Sequence, residues 1–331
     1  MISQTNTRMV SRLIMLSIVV MTAHVCASEI DPLKGGKLTV GDPVVDAATF
    51  IKDQDLRDAA LSAIASDRFS FVIDLQNATA LPVDVKKFFA DRATAQGLAD
   101  TIHTDRRQLR FDIKPGTGGL TRPRKGPADL NAAVTQFFMD FDARVAGEAA
   151  VDSDYKALKV SVQAQNNAGV TSNANQFFQD RFTTAQARLN EGADVVNIKK
   201  VIKFKGQKIA LVKPSKGNDL TGHTSMFLTD RAAWLSDDDA ITAARNNMRS
   251  ALGTSSLEAS VLTWLNARRT HRVAGIQLGL DRFAMKVDVG LAKQKDPKAK
   301  PVAIIKTGGA EDDHDSPDNN LDESSDDNGE K

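Results

Sequence analysis

The fragment Thr221-Gly222-His223-Thr224-Ser225 sets an imidazole beside two hydroxyls. A histidine titrates near neutrality and serves as a general base when it faces a reacting group. The fragment reads as a loop, so His223 is the catalytic candidate. Its company is thin. His103, His271 and His314 share no metal-ligand spacing with it, and neither HExxH nor a GxSxG elbow occurs. Asp74 with Asp84-Val85-Lys86 has the residue types of a metal-dependent nuclease, but Pro82 makes the second piece a helix start. No metal ligands and no cofactor are therefore assigned.

Cations form the other chemical signal. Residues 115–127 make a long Gly- and Pro-rich loop carrying Arg122, Arg124 and Lys125. It lacks the GxxxxGK[ST] and GxGxxG patterns that cradle nucleotide phosphates. Farther on, seven lysines lie between Lys199 and Lys216. Lys199, Lys200, Lys203, Lys205 and Lys208 join the first three as candidate binding residues. Such faces suit an anionic glycan, a lipid head group or another protein. No aromatic residues interleave with them as base stacking would require, so there is no specific nucleic-acid signal.

The beginning of the chain constrains the compartment. Arg8 and Arg12 precede an apolar run over residues 13–21, and Val25 and Ala27 sit where a signal peptidase reads small residues. A cleaved signal peptide over 1–27 is expected, with a secreted or periplasmic product. The apolar run falls short of the about 20 residues a spanning helix needs, and no later stretch is apolar enough to span after cleavage. Cys26, the one cysteine, falls inside that segment. The mature chain then has no disulfide and no thiolate, and its core must hold it together. Residues 307–331 read as a disordered acidic tail. Asn77-Ala78-Thr79 is a glycosylation sequon.

The elements that would position these groups alternate. Strands are expected at 37–40, 68–75, 109–113 and 158–162, where apolar and polar residues take turns. A β-hairpin is expected over 195–213, further strands at 272–280 and 283–291, and a last one at 301–306. Helices are expected after Pro43, Pro82 and Pro127, around Phe177, and after Ser236 and Ser255. Four segments share a signature: Phe88-Phe89-Ala90-Asp91, Phe137-Phe138-Met139-Asp140, Phe177-Phe178-Gln179-Asp180 and, more loosely, Met226-Phe227-Leu228-Thr229-Asp230. The paired phenylalanines read as core, and the adjacent Asp-Arg pairs as solvated surface.

These observations predict an α+β fold with helices on one side of mixed or antiparallel sheets. They also predict a diverged duplication of a β-α-β-α unit, 66–150 against 153–240, then helices and a C-terminal β-hairpin. The halves would be 28–150 and 151–306. The expected function is an exported, non-enzymatic binding protein. The alternatives are a secreted or envelope hydrolase using His223, and a host-directed effector whose acidic tail docks a partner.

Overall fold

The computed structural model describes residues 38, 40–76, 80–123, 125–206, 209–212, 214 and 218–293. Among them are six long helices and no strand: α1 (Pro43–Asp74), α2 (Leu81–Ile113), α3 (Leu130–Gln163), α4 (Asn167–Val201), α5 (Leu220–Ser250) and α6 (Leu257–Asp288). The α+β expectation is wrong, and with it the β-α-β-α unit. The strands expected at 68–75, 109–113, 158–162, 272–280 and 283–291 lie wholly or mostly within helices, and the hairpin expected at 195–213 is the end of α4 followed by an irregular connection. The signal segment, Asn77, the strand at 301–306 and the acidic tail lie outside the described residues.

The error has a physical cause. In α1 the buried positions near the C-terminal end are Ile64, Asp67, Phe71 and Asp74, while Phe69, Val72 and Ile73 are exposed. Two of the inward positions of that helical stripe are carboxylic acids, and some outward ones are apolar. A helix built this way shows almost no apolar periodicity at 3.6 residues. The leftover apolar residues then imitate the alternation of a strand.

Helix ends follow local rules. Asp42, Asp129 and Asp219 each precede a helix and accept an N–H from its first turn: Val44 to Asp42 at 2.9 Å, Ala132 to Asp129 at 2.8 Å and Gly222 to Asp219 at 2.9 Å. Each side chain satisfies a donor the helix cannot use internally. Lys114, Gln165 and Lys203, just past α2, α3 and α4, take left-handed backbone with φ of 51°, 53° and 53°. At α4 this lets Lys203 N–H reach Lys200 O and Phe204 N–H reach Lys199 O, the paired bonds that close a helix C-terminus.

The chain divides into two compact units. One comprises the described residues up to Ser62 with Arg92–Lys125 and Phe137–Ala193. Its core joins Phe50 and Ile51 of α1, Ile102 and Leu109 of α2, Leu158 of α3, and Val170, Phe177 and Phe178 of α4. Phe50 meets Tyr155 edge-on at 6.0 Å and Phe177 at 5.8 Å. On its polar side Arg144 bonds both Glu148 and Glu191, and Arg188 shares Glu148.

The other unit comprises Ala63–Asp91, Gly126–Gln136 and the described residues from Asp194 on. Phe88 is its centre, 5.3 Å from Phe71, 5.2 Å from Phe89 and 5.9 Å from Phe227. Val261, Trp264, Leu265 and Met285 of α6 and Met248 of α5 are buried, and α5 packs along α6. The paired phenylalanines are therefore core, in each unit by itself.

Candidate functional site

Two long connections carry most of the candidate cations, and they are built alike. The first runs from Lys114 to Asp129 and contains Leu120-Thr121-Arg122-Pro123-Arg124-Lys125-Gly126. The second runs from residue 202 to Asp219 and contains Leu211-Val212-Lys213-Pro214-Ser215-Lys216-Gly217. Both follow a helix with a left-handed lysine near its end, and both close on an Asp cap and a leucine.

Each connection is held by one glutamine in the same way. In the first unit Thr121 N–H donates to Gln186 Oε1 at 2.7 Å, and Gln186 Nε2 donates to Thr121 O at 3.1 Å. In the second unit Val212 N–H donates to Gln277 Oε1 at 2.9 Å, and Gln277 Nε2 donates to Val212 O at 2.8 Å. The partners are 65 residues apart in both cases. A primary amide presents one donor and one acceptor side by side, so it pairs with an extended residue as a neighbouring strand would. The second amide hydrogen is also used. Gln186 reaches Asn190 Oδ1, and Gln277 reaches Asp281 Oδ1, both at 3.1 Å one helical turn on. The second unit also fastens the end of the first connection, through Asn197 Nδ2 to Pro127 O at 2.8 Å.

Beside the first clamp, Arg122 and Lys125 are exposed. Lys200, Lys203 and Lys205 are exposed at the start of the second connection. Lys199 is half-buried in the last turn of α4. Arg124 and Lys208 lie outside the described residues. The expected lysine-bearing hairpin is thus replaced by a helix end and a clamped connection.

His223 is not on a loop. It sits in the first turn of α5, 2% exposed, with Nδ1 2.6 Å from Asp288 Oδ2. Asp288 is equally buried. His271 is also buried, its ring 4.7 Å from Trp234. Among the described residues no group of three or more His, Cys, Asp or Glu is placed to hold a metal ion.

The sequence reading missed a ladder of facing carboxyl groups. Asp46, Asp53, Asp67 and Asp74 of α1 stand at seven-residue steps with one step left out, and so do Asp84, Asp91, Asp105 and Asp112 of α2. In the first unit the carboxyl of Asp46 faces that of Asp112, and Asp105 faces Asp53. In the second Asp67 faces Asp91, and Asp74 faces Asp84. Stepping seven residues up one helix moves the partner seven down the other. The same geometry joins Asp154 to Asp180 and Asp230 to Asp281. Asp91, Asp180 and Asp230, expected on the wet surface, therefore line helix contacts, and Asp140 is buried.

Two facing carboxylates hold together only if something neutralises them. At Asp67 and Asp91 it is Lys87, whose Nζ lies 2.6 and 2.7 Å from them. At the His223–Asp288 rung an imidazole stands in place of one acid. Elsewhere one acid of the pair holds its proton more tightly than an exposed aspartate does. Burial, then the hydrogen bond with Asp112, lifts the Asp46 carboxyl to about 6. Asp112 is held below the usual carboxylate range by that same bond, helped by the N–H of Gly41. A side chain on Gly41 would strike Asp46 Oδ2 at 2.9 Å and Asp112 Oδ2 at 3.0 Å, so both acids converge on this glycine. Burial, then the partner carboxyl, lifts Asp105 and Asp154 to about 6 and Asp281 to about 7.

No family model, curated protein or solved structure matches the chain.

Proposed function

We propose that the protein is an exported, non-enzymatic binding protein whose two basic connections contact an anionic partner. The observation that carries this reading is the duplication of the clamped connection. The two segments share the pattern Leu-x-basic-Pro-x-Lys-Gly, and a glutamine fixes the backbone residue just before the basic one. A backbone fixed beside a basic residue, as at Thr121 next to Arg122, lowers the entropy lost on binding. Exposed Arg122 and Lys125 support the reading on the first connection, and Lys200, Lys203 and Lys205 at the entry to the second. Among the described residues no helix is long and apolar enough to cross a membrane. The hydrolase alternative loses ground because the imidazole of His223 is buried against Asp288.

The test is retention of the chain, without residues 1–27, on a sulfated polysaccharide and on vesicles containing anionic lipid. Binding should weaken as salt rises, because exposed charges are screened beyond about 10 Å at 0.1 M ionic strength. Arg122→Glu with Lys125→Glu should weaken it on the order of tenfold. Binding to neither surface, or binding indifferent to salt and to charge reversal, overturns the reading.

A further inference from the structure

We propose that the acidic segment 311–331 closes back on the lysines of the second connection and occupies that basic site until an anionic partner displaces it. The contact itself needs only the charges on this chain. Its purpose, to hold the site in reserve, rests on the binding reading above.

The charges are sorted along the sequence. Residues 311–331 carry ten acids against one lysine, a net of −9 in a chain of net +1, which leaves +10 elsewhere. The largest acid-free block of that excess is the end of α4 with the second connection. Seven lysines and no acid lie between Asp194 and Asp219, whereas the first connection has three cations over residues 115–127. Lys200, Lys203 and Lys205 are exposed. The left-handed backbone of Lys203 and the bond from Phe204 N–H to Lys199 O fix the path on which these three leave the helix. Like charges gathered on one face repel, and a polyanion beside them relieves that cost.

Helix α6 links the two segments. Gln277 holds Val212 of the second connection through both backbone groups. Gly206, next to Lys205, lies against the Arg269 guanidinium of the same helix, which adds a further cation there. From Arg269 to the end of α6 at Asp288 the helix rises about 28 Å. The 18 residue steps from Lys293 to Glu311 can span up to about 60 Å. The covalent path is therefore long enough to bring the acids back to the connection. A tethered segment whose linker spans the gap acts at an effective concentration on the order of millimolar. Single exposed ion pairs are weak, but ten acids meeting several lysines at that concentration need no fixed pairing. An outside polyanion then displaces the segment by competition for the same cations.

Five lysines at 293–306 precede the acids directly, and the test separates them from the connection. It uses the chain without residues 1–27 and carbodiimide, which joins a carboxylate to a lysine amine where the two touch. Peptide mapping should find bonds from residues 311–331 to Lys200, Lys203 or Lys205. They should be lost in 1 M salt, where the screening length falls to about 3 Å. Mixing isotopically labelled with unlabelled chain shows whether each bond lies within one molecule. Bonds confined to the lysines at 293–306, bonds between two molecules, or no bonds overturn the proposal. Neutralising the tail with Asp312→Asn, Asp313→Asn, Asp315→Asn, Asp326→Asn and Asp327→Asn should raise retention on the sulfated polysaccharide on the order of tenfold. That gain should vanish in a chain already carrying Lys200→Gln, Lys203→Gln and Lys205→Gln. A gain that survives them is general charge repulsion and overturns the proposal. Bonds to the connection without retention of any chain remove the functional reading alone, and retention without those bonds removes the closure alone.

Discussion

The two clamps differ by one functional group and by depth. Gln186 and Gln277 grip a backbone residue through the same pair of bonds, but the first pair is exposed and the second partly buried. The first glutamine leans on Asn190, the second on Asp281. In water a lost hydrogen bond is replaced by solvent, so the first clamp contributes little and depends on little. In the interior the same bond is worth more, and so is the penalty for losing a partner. Depth thus decides whether an identical amide grip is a passive tie or part of a charged network.

The broadest challenge to this contrast is to titrate the whole chain. Asp46, Asp105 and Asp154 sit at about 6 and Asp281 at about 7, against about 3.9 for an exposed aspartate. The folded state therefore holds more protons than the unfolded state between these values. That stability is fully present below about pH 4 and is lost as pH rises through 6 to 7. Asp91 and Asp112 are held low, so their contribution is present above about pH 4 and lost in stronger acid. The urea midpoint should peak near pH 4 to 5 and decline toward pH 8. A midpoint climbing steadily from pH 4 to 7 would defeat the carboxyl ladder as drawn.

Cutting each clamp gives the next largest effect. Gln277→Ala should cost about 1 to 3 kcal/mol, because the buried Asp281 loses a donor and the bonds to Val212 are partly buried. Gln186→Ala should cost about 1 kcal/mol or less, since water reaches Thr121. Equal costs in chemical denaturation would show that burial does not separate the two.

The smallest effect tests whether the connections are true counterparts. Lys114 and Lys203 both open a connection in left-handed backbone. Lys114→Gly and Lys203→Gly should each raise stability by about 0.4 to 1 kcal/mol, because glycine takes this conformation without a Cβ clash. A gain at one and a loss at the other would mean that the two lysines are held differently.

Much of the local structure was legible in the residues. Pro43 and Pro127 announce helix starts, and the apolar series Val134, Phe137, Phe138 and Phe141 marks α3. The cations beside the first clamp could be named without coordinates. The fold class could not, because buried aspartates occupy inward positions that apolar-pattern reasoning reserves for leucine. The clue was present as aspartates at seven-residue steps in two neighbouring segments, a spacing that marks one helix stripe whatever the residue type. His223 misled for the related reason that a short Thr-Gly-His-Thr-Ser run resembles a loop when it is a capped first turn. The clamps were beyond reach, since nothing in a lone glutamine tells which distant backbone it will grip.

A stripe of identical acids has a hidden weakness as an alignment code, because sliding one helix by two turns would set acid against acid again. The omitted step between Asp53 and Asp67 removes the ambiguity. In the native register Ala60 falls opposite Leu98, two hydrocarbons where the other rungs of α1 and α2 have carboxyl pairs. A slide by seven residues one way would bring Asp53 against Leu98 and Asp91 against Ala60, and a slide the other way would bring Asp67 against Leu98 and Asp105 against Ala60, stranding acids without a mate in either case. The missing tooth keys the zipper, and a chain carrying Ala60→Asp with Leu98→Asp would be free to close one notch out of place.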